Sequence, residues 1–484
     1  MAEDFSPSAA SINRAILTSF NGEDERSLDS NYISSFDITQ SMDSVAWHGR
    51  LHIMDTSGIL EGMPIRGEET LKFWIEGHDL GTVIKLDAVV HKVDNIKPLA
   101  SGNGVTYTMH FVSENSFNAS YKKITTAFNK EPSEMAIDIF EQNFAKLTKP
   151  AIGNDDNNKP LPYQTKIHKL IPSNKQESDS RTFIVMPSKN KTQLIIPDLS
   201  PAEAMFFVAS RCYNPSSPSQ TFRFFETVDG YYFATDEYFI RRANNNKNTI
   251  TNLSYAPVVD QDGTNVAAQV ERIEQMHIIS KSIDSSSDIS NGSYRNEVLE
   301  LDLVKRKINL SKFNYDDASY IDMNGIIKTL ADNPHTKEYR EKHFSEAPRR
   351  FMAYKNFDSP GDLGSQEVRP DQHIAEIVHN RVAYYHHLNN TQLAVVLTNR
   401  LDLKPGMLVK LDIKALDGVQ QNIEQNNSLS GRYIIKETVH TFADDKMTCS
   451  MRLAKFDWSG LTETTAETVD IGGDVVTSVL GNVI

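Results

Sequence analysis

Histidines are the residues of this chain with the most chemical potential, and four of them, His373, His379, His386 and His387, crowd into one short stretch. His379 and His386 stand two helical turns apart, so on a helix they would share a face and could approach a metal ion. No Glu or Cys stands at ligand spacing beside them and no His-Glu-x-x-His occurs, so these are read as exposed or interface histidines. His48 and His52 flank a strand start within reach of Asp55, again read as surface residues. Carboxylate pairs such as Glu68 with Glu69, or Asp236 with Glu237, have the residue types for glycoside cleavage. Among 64 acidic residues such pairs arise anywhere, and they single out nothing. Gly-x-Ser-x-Gly, Walker and dinucleotide-binding loops are missing from the sequence. The sequence thus names no catalytic residue, no cofactor-binding residue and no metal ligand, and the expectation is a protein that is not an enzyme.

Composition bounds the kind of chain this is. Its 484 residues exceed what one core organises, so several domains are expected. Hydrophobic residues make up 39% and charged ones 24%, as in ordinary globular proteins. No apolar run is long enough to span a membrane, and Met1-Ala2-Glu3-Asp4-Phe5 does not read as a signal peptide, so folding in a cytoplasm is expected. Cys212 and Cys449, far apart and without metal spacing, are expected to be small buried hydrophobes. A net charge of −14 disfavours a surface that grips nucleic acid, but suits a like-charged channel wall that a phosphate backbone would not stick to.

Period and punctuation place the elements. Residues 1–30 are polar and Ser-rich and read as an N-terminal arm with one short helix near Ile12–Phe20. In Gly81–Val93, Ile84, Leu86, Ala88 and Val90 fall on one face. After the turn signal Ser101-Gly102-Asn103-Gly104, Val105, Tyr107, Met109 and Phe111 alternate with polar residues, so the two segments form a hairpin. Ala136, Ile139, Phe140, Phe144 and Leu147 give the stripe of a helix over 133–147. Ser200-Pro201-Ala202-Glu203 starts another with a capping box. Asp229-Gly230 joins strands Thr221–Val228 and Tyr231–Ile240, and residues 116–250 are read as an α+β domain. Glu297–Val304, with Leu299, Leu301 and Leu303 on one face, belongs to a second strand-rich unit. A helix over Asp371–Leu388 presents Ile374, Ile377, Val378, Val382, Tyr385 and Leu388. Strands resume at Leu393–Leu397, Met407–Ile413, Tyr433–Phe442 and Met447–Ala454.

The two strand-rich units repeat one another in sequence. Ile38-Thr39-Gln40-Ser41-Met42-Asp43-Ser44 corresponds to Ile279-Ser280-Lys281-Ser282-Ile283-Asp284-Ser285. Gly62-Met63 matches Gly406-Met407, and Thr106, Thr108 and Met109 match Thr448, Ser450 and Met451. Three correspondences in one order favour two related barrels, the second split by an insertion.

Leu403-Lys404-Pro405-Gly406-Met407-Leu408-Val409, then Leu429-Ser430-Gly431-Arg432-Tyr433-Ile434-Ile435, then Val439-His440 and Met447–Arg452 resembles the C-terminal part of baseplate central hub proteins of contractile-tailed, T-even-like bacteriophages. The resemblance covers about 393–455 and, more loosely, 32–112. It implies a β-dominated multidomain α+β chain with two tail-tube-like antiparallel β-barrel domains and α+β accessory domains. The borders expected are an arm at 1–30, barrel I at 31–115, and an accessory domain at 116–250. Barrel II is expected at 251–312 and 390–458, an inserted accessory domain at 313–389, and a docking tail at 459–484. The resemblance further implies a homotrimeric ring whose six barrels mimic a six-fold tube, in the tail baseplate of a virion assembled in a host cytoplasm. Implied partners are the central spike protein, the tail tube or a tube-initiator protein, and baseplate wedge proteins. DNA would pass through the lumen without specific binding, and no membrane is involved. The hub of a related contractile injection system is the nearest alternative, and a tail-associated cell-wall hydrolase the alternative from another class.

The closing segment carries Ile471, Val475, Val476, Val479, Leu480 and Val483 at a spacing of three to four residues. This pattern suggests a docking arm that orders on a partner, either the spike or a neighbouring hub subunit.

Overall fold

Strand-period sequence leaves open which strands pair, and the computed structural model answers that. It describes residues 10–28, 31–63, 65–77, 82–100, 102–144, 147–152, 166–170, 182–215, 217, 219–245, 250–255, 271–281, 291–292, 295–302, 307–314, 349–354, 373–398, 400–414, 429–444 and 446–456.

The first unit contains β1 (Ala10–Thr18), β2 (Glu25–Ser27), β3 (Ile33–Ser41), β4 (His48–Asp55), α1 (Ile59–Gly62), β5 (Glu69–Gly77), β6 (Thr82–Pro98) and β7 (Val105–Ser113). Its strands lie in the order β3-β4-β7-β6-β5-β1, every neighbouring pair antiparallel. Alternate residues of all six turn inward, so the sheet curls around a core that includes Leu17, Phe36, Leu51, Phe73, Leu86 and Met109. The hairpin read from 81–111 is present as β6 and β7. The expected arm is corrected for its described part: residues 10–18 form a strand paired with β5, not a helix. Ala10, Ala15 and Leu17 are buried by that pairing, and a sequence this polar gains its order from its neighbour rather than from its own propensity.

The next region runs through α2 (Glu114–Ser120), β8 (Ile124–Lys130), α3 (Pro132–Asn143), β9 (Leu147–Ile152), β10 (Lys166–Leu170), β11 (Thr182–Val185), β12 (Thr192–Leu199), α4 (Pro201–Ala209), β13 (Phe222–Thr227), β14 (Gly230–Thr235) and α5 (Asp236–Asn245). A five-stranded sheet in the order β13-β14-β11-β10-β9 and the ribbon β12-β8 share a core with α3 and α4, centred on stacked Phe140 and Phe183. The capping box is present: Ser200 accepts from the Glu203 amide, and the Glu203 carboxylate accepts from the Ser200 amide. Two readings shift. Leu147 opens a strand rather than closing a helix, and the strand after Gly230 ends at Thr235, where α5 begins.

The last part contains β15 (Thr251–Tyr255), β16 (Ile273–Lys281), β17 (Arg295–Asp302), β18 (Lys307–Asn314), β19 (Arg349–Tyr354), α6 (Ile374–Asn390), β20 (Thr391–Thr398), β21 (Leu408–Ile413), β22 (Gly431–Ala443) and β23 (Lys446–Lys455). Six of these strands pair in the order β16-β20-β23-β22-β21-β15 around a second core that includes Leu393, Val395, Leu411, Tyr433 and Met451. The placement of Glu297–Val304 in the second barrel is corrected. β17 and β18 join β19 in a separate three-stranded sheet, whose Val298 packs on Ala375 of α6. Alternation of Leu299 and Leu301 marks a strand but not the sheet it enters. On α6, Ile377 and Leu388 are buried as read and Ile374 and Val378 pack on the Val298 cluster, but Tyr385 stands 54% exposed and Tyr384 is buried in its place.

Candidate functional site

Taken strand by strand, the two barrels are one design. β1, β3, β4, β5, β6 and β7 correspond to β15, β16, β20, β21, β22 and β23, and all five pairings within one set recur in the other. Only the first differs in direction: β1 runs antiparallel to β5, whereas β15 runs parallel to β21. Two bulges recur at equivalent places, between Ile33 and Ser35 as between Ile273 and Gln275, and between Val90 and Lys92 as between Ile435 and Glu437. Bulges redirect a strand, so their repetition repeats the curvature.

The sequence correspondences fare unequally against this register. Met109 and Met451 both enter the cores at matching places, and Thr39 and Ser280 face the equivalent residues His48 and Gln392. From Ser282 the second heptad lies outside the described residues. Both Gly-Met pairs precede equivalent strands, but at different spacing: Gly62 ends α1 seven residues before β5, while Met407 runs directly into β21.

Among the described strands one pairing joins the barrels. The second half of β22, Glu437–Ala443, pairs antiparallel with β3 from Ser41 back to Ser35, and the Met42 amide donates to the Lys436 carbonyl at 2.9 Å. Phe442, a residue of the second barrel, enters the core of the first and stacks on Phe36 with ring centroids 5.0 Å apart. His440 is fully buried in the same ladder, and burial holds its imidazole down at about 4.

Each half of this junction has an equivalent that lacks a strand partner among the described residues. β6, the counterpart of β22, pairs with β5 only as far as Val90, so one edge of Lys92–Pro98 is open. β16, the counterpart of β3, pairs with β20 on one side, and its other edge is open over Gln275–Ile279. Met276 and Ile278 there are only partly buried, although their counterparts Phe36 and Ile38 are 1% exposed. Ile96 on one open edge and Ile279 on the other are about half exposed, at 54% and 47%.

Eight strands, β16-β20-β23-β22-β3-β4-β7-β6, form one continuous wall whose back is the two cores. Its front carries cross-strand rows. One runs Thr398, Thr448, Thr441, Asp37, Arg50, His110, Lys92, and another Gln275, Val396, Ser450, Val439, Thr39, His48, Val112. Charges on it are largely met in place: Arg50 with Asp37 at 2.9 Å, Lys92 and His110 with Asp94 at 2.6 and 3.0 Å, Arg452 with Glu437 at 3.2 Å. A like-charged wall is therefore not what this face presents. Burial, with His110, His48 and Lys92 nearby, keeps the His91 imidazole below its ordinary value. At one end of the wall a groove of about 980 Å³ separates Arg50 and His48 from Phe117 of α2 and Phe206 of α4.

The residues first singled out for chemistry take structural places. His379 is buried against the three-stranded sheet, hydrogen-bonded to Asn296 and 3.0 Å from Ser311 Oγ; burial brings it to about 4. His373 stacks on Tyr213, and the backbone of α6 carries His386 and His387. His48 is exposed and His52 half-buried on the wall, where His52 Nδ1 meets Thr108 Oγ1 at 3.0 Å, while alternation turns Asp55 into the barrel, away from both. There burial raises the Asp55 carboxyl, but amides of Leu60, Ile59, Ser57 and Gly58 outweigh that and leave it below its usual range. Glu69 accepts from the amides of Arg66 and Gly67, Asp236 pairs with Arg223, and Glu237 is buried against Ser217 and Ser219. Cys212 and Cys449 are both buried, which pushes their thiols up. Among the described residues no three of His, Cys, Asp and Glu gather as a metal site requires, and no helix is long and apolar enough to cross a membrane. Ile471, Val475, Val476, Val479, Leu480 and Val483 lie outside the described residues.

No protein-family model matches the chain, and no curated protein matches its sequence. Solved structures are similar to it in fold. A tail protein from Neisseria meningitidis MC58 is 10% identical, with 93% of this chain and 97% of that one covered at a TM-score of 0.46. The 43 kDa tail protein of prophage MuSo2 from Shewanella oneidensis is 10% identical, with 92% and 99% covered at 0.46. An Escherichia coli type VI secretion component, described as structurally similar to the T4 bacteriophage tail proteins gp27 and gp5, is 7% identical, with 92% and 76% covered at 0.36. By their descriptions these three are two tail proteins and a type VI secretion component.

Proposed function

We propose that the chain is the non-enzymatic central hub of a phage contractile-tail baseplate, a homotrimer in which the junction inside each chain is repeated between chains. The observation that carries this reading is the pair of open edges. β6 of one subunit is the counterpart of β22 and β16 of the next is the counterpart of β3, so the β22–β3 register applied between chains sets Lys97 opposite His277 and Pro98 opposite Met276. Such a contact is heterologous, and it closes a ring when the rotation per barrel divides a full turn. Three chains with two barrels each then present six near-equivalent surfaces. Closure also covers both exposed edges, which otherwise invite aggregation.

In this ring the polar wall lines the lumen. Hydroxyl rows and charges met by their neighbours offer a phosphate backbone neither a cationic track nor strong repulsion, which suits DNA that passes without specific binding. By the sequence resemblance, the tail tube or a tube initiator stacks on one end, the spike on the other, and wedge proteins surround the ring in the virion tail.

Mass measurement in solution tests this reading. The expected result is a species of three 54.5 kDa chains. Ile96→Lys with Ile279→Lys, both at exposed edge positions, should return it to one chain without loss of fold. A monomeric wild-type chain, or one that cleaves cell wall, would refute the hub.

A further inference from the structure

The sheet β17-β18-β19 packs one face on α6, and among the described residues nothing covers the other. Register places Leu299 between Leu310 and Met352 and Leu301 beside Ile308, all on the face away from Val298 and α6. Ile308 is 67%, Leu310 48% and Met352 64% exposed. An apolar face of this kind marks a contact site. At its end stand two exposed cations, Arg350 and Lys312, 2.9 and 3.9 Å from a single carboxylate, Glu297. The strip is therefore apolar along its length and positive at one end.

We propose that this face is the docking site of the chain's own C-terminal segment, residues 461–484. Three observations select that occupant. Its chemistry is the complement: apolar from Ile471 to Val483, with acidic Glu463, Glu467, Asp470 and Asp474 and no Lys or Arg. Its origin is close, since β23 ends at Lys455, and Phe456 shares a core cluster with Tyr384 and Leu388 of α6, the helix that carries the sheet. Its reach is sufficient: the fifteen residues from Phe456 to Ile471 span up to ~50 Å when extended, against ~20 Å for one helix layer and one sheet layer. The inference does not depend on ring formation.

Hydrogen exchange on the full-length protein provides the test, with two sets of variants. Val475→Asp with Val479→Asp in the tail should speed amide exchange in 307–314 and 349–354 by about tenfold, because the cover is lost. Ile308→Ser with Met352→Ser, both at exposed positions where the fold does not need them, should speed proteolysis of the tail by a similar factor. Circular dichroism and the exchange of 393–411 in the barrel core check that the variants remain folded. If strand exchange stays at the wild-type rate in the tail variant, or tail cleavage stays unchanged in the face variant, the docking is refuted.

Discussion

The first barrel and the second share strand order, pairing and bulges, yet they are not interchangeable, and they differ where each one meets something else. β3 of the first is covered by β22, so Phe36 and Ile38 are buried; β16 of the second has no such cover among the described residues, and Met276 and Ile278 are only partly buried. Inside, equivalent positions are filled differently. At one cross-strand position the first barrel has Gly49 beside Phe111, where the second has Leu393 beside Leu453. A duplicated fold thus keeps its pairing scheme, trades volumes inside each core, and specialises at its edges. In the proposed ring, the β22–β3 junction is the template for the contact between chains.

The largest effect should come from the residue that crosses between barrels. Phe442→Ala removes the ring stacked on Phe36 and should cost about 3–5 kcal/mol in denaturant unfolding of the chain. Its counterpart Pro98→Ala, at an exposed position, should leave chain stability unchanged and weaken only the trimer. Equal losses from both would break the comparison.

Next is the buried His440 in the same ladder. Its folded value of about 4 lies below the ordinary 6.5, so the unfolded chain binds the extra proton first. Stability should therefore fall as pH drops from about 6.5 to 4, by up to about 3 kcal/mol from this group. His440→Gln should flatten that part of the stability–pH curve relative to wild type, whatever its effect at neutral pH.

Gly49→Ala comes third. An added Cβ would lie 2.2 Å from the Asp37 carbonyl oxygen and 2.5 Å from the Phe111 ring, so overpacking of about 1–3 kcal/mol is expected. Phe111→Leu, which imitates the second barrel, should recover part of the loss in a double-mutant cycle. The smallest effect belongs to the wall: Asp37→Asn breaks an exposed pair with Arg50 and should change stability by less than about 1 kcal/mol.

Much of the element pattern was legible because side-chain period reports which way a strand faces. Ile84, Leu86, Ala88 and Val90 are all buried as alternation required, and the Ser200 cap follows from local chemistry alone. Pairing was less legible. β1 reads as a polar arm because its order comes from β5, and β17 reads as a barrel strand because period carries no address for its sheet. The candidate site had almost no local signal, since the openness of β6 and β16 concerns what lies beside them. Comparing the partners of matched strands, not their residues, reveals it.

By itself the sequence determined that the chain is strand-rich, that two of its units are related, and that it lacks the motifs of a metal, phosphate or nucleophile site. Those are properties of residue type and spacing, which each short segment carries within itself. Tertiary structure alone decided that the barrels join through β22 and β3, that Phe442 serves a core not its own, and that two equivalent edges have no strand partner among the described residues. Pairing partners are chosen by burial and backbone hydrogen bonding between segments hundreds of residues apart, and no local pattern encodes that choice.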